Sequence, residues 1–192
     1  MFRYKTTILM VLSALLAVAQ GQVVSDGACP DNVKSMESFD VEKYLGTWYE
    51  YSKYPVKFEA NGKCITAKYT LNADGTVQVK NSLINTKTNA SEDIEGFANL
   101  VSPGKLLVQF PVSPAHTVSS NYWVLNTDYD NYAVVYSCNP MGENSHSTIV
   151  WILTRERIPR SSYIERAISV LYQYEISLLP ITTTDQASCD NV

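Results

Sequence analysis

Apolar and polar residues alternate with a period of two along most of the chain. Ile65, Ala67, Tyr69 and Leu71 alternate with polar neighbours over residues 64–71, which is the signature of a half-buried strand. Asn72-Ala73-Asp74-Gly75 carries a turn signal, and beyond it Val77, Val79, Asn81 and Leu83 alternate with Gln78, Lys80 and Ser82. Two adjacent antiparallel strands, each with one apolar face, are predicted. Upstream, Trp48, Tyr49, Tyr51 and Tyr54 form a β-rich run that begins at Thr47 and stops at Pro55. Downstream, strand-like stretches recur at 93–100, 105–110, 122–126, 132–138 and 148–154, with Pro111-Val112-Ser113-Pro114 and Asn139-Pro140-Met141-Gly142 marking the longer connections. Eight strands at hairpin spacing, with no helix between them, predict an all-β antiparallel barrel or sandwich.

Asn81 breaks the apolar face on which it falls. A buried amide without a partner costs about 1–3 kcal/mol. Either a neighbouring strand or a place at the rim satisfies it, or it is a polar group that waits for a ligand.

The period changes twice. Residues 38–45 supply one helical turn, with Asp40 placed to cap it and Phe39, Tyr44 and Leu45 to be buried. After Pro159, Ser162 and Glu165 have capping-box spacing, and Ile164, Ala167, Ile168 and Leu171 make one apolar stripe. A lone amphipathic helix after an all-β run must lay that stripe on the outer surface of the sheet. The tail is expected to run extended from Ile176 to Cys189.

The first residues have a different logic. Arg3 and Lys5 precede an apolar run over 8–18, and Ala19-Gln20-Gly21 offers small residues for cleavage. Residues 1–21 are therefore expected to be a signal peptide, because the run is shorter than the roughly 20 residues of a membrane span. Residues 22–192 form one domain, secreted and extracellular, with no membrane span and no linker that would divide it.

Composition excludes more than it selects. Fifteen Lys and Arg against nineteen Asp and Glu give a net charge of −4, and the basic residues form no cluster that could follow a phosphate backbone, so nucleic acid is not an expected partner. The four cysteines, Cys29, Cys64, Cys138 and Cys189, lack zinc-site spacing, and only two His are present, so no metal site is expected and disulfides are. Spacing leaves all three pairings open. Asn89-Ala90-Ser91 is the one glycosylation sequon and falls in a predicted loop.

Gly46-Thr47-Trp48 at the start of the first strand, Thr127-Asp128-Tyr129 between the sixth and seventh, and Arg155 after the eighth resemble the three signature regions of the lipocalins. The resemblance extends over nearly all of residues 22–192. Asp26-Gly27-Ala28-Cys29-Pro30 is similar to the leader of insect bilin-binding proteins, while Tyr44-Leu45-Gly46-Thr47-Trp48-Tyr49-Glu50, residues 126–138, Trp151-Ile152-Leu153-Thr154-Arg155 and Thr184-Asp185-Gln186 resemble the apolipoprotein D branch. Tyr51 departs from that pattern, where an aliphatic residue or Thr is more usual.

The resemblance implies an eight-stranded antiparallel up-and-down barrel with one C-terminal α-helix packed on its outside. It pairs Cys29 with Cys138 and Cys64 with Cys189, and lays Arg155 across Trp48. It implies a carrier of a small hydrophobic ligand, with Tyr44, Tyr69, Asn81 and Trp151 at ligand-contact positions. Alternation adds inward-facing Ile65, Ala67, Leu83, Tyr122, Val124, Ala133, Val135, Ser137, Ser147 and Ile149, and outward-facing His146 and Val150. Trp123 is expected to face outward, under the helix.

Two ligand classes follow from the branch: biliverdin on the bilin-binding side, and fatty acids or sterols on the apolipoprotein D side. Neither is an obligatory cofactor. Bilin propionates would need cations near the mouth, and Lys57, Lys87 and Lys105 are placed there by position, although exposed lysines are ordinarily just solvated. Catalysis is not expected: His116 and His146 have no nucleophile motif beside them, and the catalytic lipocalin branch uses an unpaired pocket cysteine. An extracellular signalling or adhesion lipocalin acting through its surface, with a vestigial pocket, is the alternative reading. Oligomeric state is not written in the chain.

Overall fold

The computed structural model describes residues 22–189; the expected signal peptide lies outside the described residues. Ten strands follow in order: β1 (Val23–Asp26), β2 (Gly46–Lys53), β3 (Gly62–Leu71), β4 (Val77–Asn85), β5 (Ser91–Ser102), β6 (Lys105–Ser113), β7 (His116–Thr127), β8 (Tyr132–Pro140), β9 (Ser145–Thr154) and β10 (Thr182–Thr183). From β2 to β9 each strand pairs antiparallel with the next, and β9 returns to pair with β2, from Tyr49 opposite Thr154 to Lys53 opposite Trp151. The sheet is thereby closed into an eight-stranded barrel. The short outer strands cover what closure leaves open: β1 pairs with β9 at residues 145–148, beyond the reach of β2, and β10 pairs with β2 at Ser52 and Lys53. Unpaired edges are liabilities, and both terminal segments are spent on covering them.

The apolar faces make two cores. Inside, Trp48, Val77, Val79, Ala98, Leu106, Val108 and Val124 fill the lower half of the barrel. Outside, Val134, Tyr136, Val150 and Ile152 meet Ile164, Ala167, Val170 and Leu171 of the helix α2 (Ser161–Gln173). β8 is covered on both sides, which is why residues 132–138 are all buried and read as a nearly continuous apolar run. Trp123 belongs to the outer core, as its alternation requires.

Local expectations fail in two places. Arg160, not Ser162, is the N-cap of α2 and makes no side-chain capping bond. Arg160 is extended (φ −66°, ψ 140°) and the helix starts directly after it, so Ser162 lies in the first turn and the capping box does not form. The stretch 111–114 is not a long connection, since β6 continues to Ser113 and β7 resumes at His116, with Pro111 opposite Thr117. The pairing of β6 with β5 ends at Gln109, so Pro111 sits on a two-stranded ribbon where one side needs no ladder donor.

Both disulfides are those the resemblance implies. Cys29–Cys138 ties the leader to β8, and Cys64–Cys189 ties the tail to β3; no described cysteine is free. Among the described residues no helix is long and apolar enough to cross a membrane.

Candidate functional site

The barrel is plugged at one end. The single-turn helix α1 (Val41–Tyr44), capped by the Asp40 carboxylate accepting from the Lys43 N–H at 3.2 Å, delivers Tyr44 to the floor. Trp48 is wholly buried, and its indole N–H donates to the Tyr44 carbonyl at 2.8 Å. Arg155 lies across the indole face, its guanidinium carbon 3.7 Å from the ring centroid. The same guanidinium donates to the carbonyls of Lys43, Leu45, Thr47 and Tyr129 at 2.8–3.0 Å. Gly46 makes this possible: its φ is +91°, and a Cβ there would come within 3.3 Å of an Arg155 nitrogen. Thr127 and Asp128 shape the adjoining turn, Thr127 donating to the Tyr132 carbonyl at 2.6 Å and Asp128 accepting from the Asn131 and Tyr132 N–H groups. Tyr129, at φ +67°, accepts the Asp40 N–H on its hydroxyl.

Above the plug the interior is hollow. A cavity of about 440 Å³ is lined largely by apolar side chains from all the barrel strands except β8. Its deep end is aromatic. Tyr69 donates to the Tyr122 hydroxyl at 2.9 Å, Tyr122 and Tyr44 share a hydrogen bond at 2.8 Å, and Trp151 stacks beside Tyr122 with centroids 6.4 Å apart. Burial pushes the Tyr69 hydroxyl up to about 12 and raises Tyr122 and Tyr44 well above the ordinary phenol value, so all three remain neutral hydrogen-bonding groups. The upper wall depends on Gly96: a Cβ there would meet the Gln109 carbonyl at 2.2 Å and the Phe110 ring at 2.6 Å. The missing side chain gives Phe110 its place in the lining. Phe58, Ile94, Val112 and Val118 form a solvent-exposed apolar rim.

Of the residues expected to meet a ligand, Ile65, Ala67, Tyr69, Asn81, Leu83, Tyr122 and Trp151 line this cavity. Tyr44, Val124, Val135 and Ile149 are buried but do not reach it. The first three of these four belong to the packed lower core. Alternation assigns a face of the wall, not a height, and the hollow occupies only the upper half. Asn81 faces inward with its Oδ1 buried and without a partner. Lys105 is not at the mouth. It starts β6 just after the closed-end turn, with its ammonium 4.1 Å from the Trp123 centroid. Lys57 and Lys87 are exposed, and neither lines the cavity. Asn89 lies exposed in the β4–β5 turn.

The cavity wall also contains a charged cluster that alternation could have located. Glu50 follows Trp48 by two residues and so shares its inward face. Its carboxylate contacts the Lys53 ammonium at 2.9 Å, which also contacts Glu59 at 2.7 Å. Burial, joined by repulsion from Glu59, raises Glu50 to about 8 against the pull of Lys53. Burial works to lower Lys53, but Glu59 and Glu50 together outweigh it and hold the ammonium charged. Thr184 completes the cluster by donating to the Glu50 carboxylate.

Thr184 belongs to a seam in the wall. The β2–β3 ladder extends only from Gly46–Tyr69 to Tyr49–Thr66, and toward the mouth the tail takes over. Thr184 donates its N–H to the Tyr51 carbonyl at 3.0 Å, and the Cys64 N–H donates to the Asp185 carbonyl at 2.8 Å. The Gln186 amide bridges both strands, donating to the carbonyls of Glu50 at 3.0 Å and Ile65 at 2.8 Å. Cys64–Cys189 locks the patch.

A barrel plugged by a Trp–Arg pair at one end and hollow at the other is the lipocalin arrangement, and a family profile described as a lipocalin-like domain matches residues 39–170. The chain belongs to the lipocalin family. It is 41% identical over 186 residues to apolipoprotein D of Cavia porcellus, covering 95% of each chain. To insecticyanin-B of Manduca sexta it is 30% identical over 168 residues, covering 85% of this chain and 81% of the relative. The solved structure of insecticyanin from the same insect shares the fold with a TM-score of 0.77 at 28% identity, over 86% of this chain and 89% of the other.

Proposed function

We propose that the chain is a secreted carrier that holds one small hydrophobic molecule in the upper half of its barrel. The observation that carries this reading is the cavity: about 440 Å³, apolar on most of its surface, with a few polar groups converging on it. That is the profile of a small-molecule site. Ile65, Ala67, Tyr69, Leu83 and Trp151 would supply the apolar contact. Asn81 and Tyr122 would orient the ligand, with Tyr44, Val124, Val135 and Ile149 supporting the floor and wall behind them. Biliverdin and lipid are the two ligand classes that the family resemblance brings. Two disulfides, the signal-like residues 1–21 and the exposed sequon at Asn89 support an extracellular life for residues 22–192.

The test is to extract the purified native protein with organic solvent, identify what it carries by mass spectrometry, and record its visible absorption. A bilin colours the protein; a lipid leaves it colourless. A cavity that is empty on extraction and binds neither class in titration would instead favour a protein that acts through its surface.

A further inference from the structure

We propose that the cavity takes its ligand head first: an uncharged head that accepts hydrogen bonds, such as an ester, amide or ketone carbonyl, goes down to the phenols at the floor of the hollow, and the apolar tail leaves through the rim. The proposal rests on the reading of the cavity as the binding site, and it names the head chemistry and the direction of binding.

The floor has donors to spare. Tyr44, Tyr69 and Tyr122 carry three hydroxyl protons and are joined by two hydrogen bonds, at 2.8 and 2.9 Å, so one proton of the cluster is left without an acceptor. Two more donors border the same hollow. The Trp151 indole N–H and the Asn81 amide N–H group make no hydrogen bond among the described residues, and neither nitrogen is fully buried. A carbonyl oxygen accepts what these groups offer. A carboxylate would have to give up its water with no cation beside it: no Lys, Arg or His lines the cavity, Lys53 is held between Glu50 and Glu59, and Arg155, across Trp48, is spent on four backbone carbonyls.

The rim has the opposite character, because its inward polar groups are already answered. Glu50, raised to about 8, is largely protonated at neutral pH, which leaves Lys53 and Glu59 as a balanced pair. Glu92 accepts from the Asn85 amide at 2.8 Å, and Ser120 donates to the Asn121 carbonyl at 3.2 Å. Thr66, Ser82, Asp93 and Asn121 border the hollow but alternate onto the outer face with Lys68, Lys80 and Trp123, where Lys80 meets Asp93 at 2.7 Å. What the rim leaves open is hydrocarbon: Phe58, Ile94, Val112 and Val118 are 40–61% exposed. An alkyl tail covers these side chains, whereas a polar head placed there leaves them in water.

Trp151 reports the direction, since it is the tryptophan of the lining. The intact, delipidated protein is saturated at neutral pH with methyl 2-bromohexadecanoate or methyl 16-bromohexadecanoate, which carry the bromine quencher at opposite ends, and tryptophan emission is recorded. The 2-bromo ester should quench more deeply. With methyl hexadecanoate bound, the infrared stretch of the ester carbonyl should lie below its value in hexane, and the lowering should shrink in the Tyr69→Phe/Tyr122→Phe variant, whose fold is checked by near-ultraviolet circular dichroism. Equal or deeper quenching by the 16-bromo ester would overturn the direction. A carbonyl stretch at its hexane value in the native protein would overturn the head chemistry, and an undiminished lowering in the folded variant would overturn the phenols as its donors. Each of these leaves the carrier reading intact; failure of all three esters to bind would overturn both.

Discussion

The two ends of the barrel are built from similar residues under opposite rules. At the base, aromatic rings pack against one another and the strong polar groups are answered: the Trp48 indole, the Arg155 guanidinium and the Asp128 carboxylate all have partners at 2.8–3.1 Å. At the mouth, Phe58 and Val112 face solvent, Asn81 lacks a partner, and carboxylates outnumber the cation set among them. Saturated interactions stabilise a fold and leave nothing over for a ligand. Unsaturated ones weaken the free protein and become favourable only when something binds. The comparison assigns stability to one end and selection to the other.

The largest expected effect tests the base. Trp48→Ala empties the plug and strips Arg155 of its cation–π partner, and should cost about 3–5 kcal/mol in denaturant unfolding, the range for a fully buried aromatic. If that variant kept its stability but lost ligand, the division would be reversed. Next is the seam: removing Cys64–Cys189 by paired substitution to Ser should cost about 2–4 kcal/mol by the loop-closure estimate, and ligand release should accelerate because the patched wall loosens.

Glu50 sharpens the boundary between the two regions. Its folded value of about 8 lies above the ordinary 4.5, so the stability tied to its protonated form is fully present below pH ~4.5 and is lost as the pH rises through ~8. Melting temperature should decline across that window, and Glu50→Gln should flatten the decline, an effect on the order of 1–3 kcal/mol at its upper end. An identical pH profile in the variant would remove Glu50 as the cause. The smallest stability effect belongs to Trp151→Ala, which borders empty space and should cost under about 2 kcal/mol while weakening ligand at least about tenfold. Unchanged affinity in a folded variant would remove Trp151 from the binding surface.

Most of the wall was legible because a strand's two-residue period is a strict geometrical rule. Ile65, Ala67, Tyr69, Asn81, Leu83 and Trp151 lie on the face that alternation assigns them. The same rule could not supply height, so Val124 and Val135 were placed on the correct face but too high. It also reached Glu50, which shares the parity of Trp48, but a charge in an inward position runs against the hydrophobic pattern and passes for an outward residue. Its burial follows only from Lys53 and Glu59, one in a strand and one in the short 3-10 helix over residues 57–59, and from the distant Thr184. The rim was hidden for another reason. Residues 111–118 are rich in Pro, Ser and Thr and exposed, so they carry loop composition while being paired as a ribbon. The helix start differed by two residues because a cap depends on the backbone angle that follows Pro159, not on side-chain spacing alone.

The seam imposes an order on how the barrel can be finished. Glu50 and Ile65 are made early, yet the amide that bridges them comes from Gln186, 136 and 121 residues later. Contacts between such distant positions form slowly, since the intervening chain must be ordered or searched first. The plug, by contrast, draws Trp48 and its carbonyl acceptor from residues four apart. In pulse-labelled hydrogen exchange during refolding, protection of the Cys64 amide should therefore appear after protection in the lower β2–β3 ladder. The lower β2–β3 ladder is laid down first, and the side of the container that holds Glu50 is shut after it.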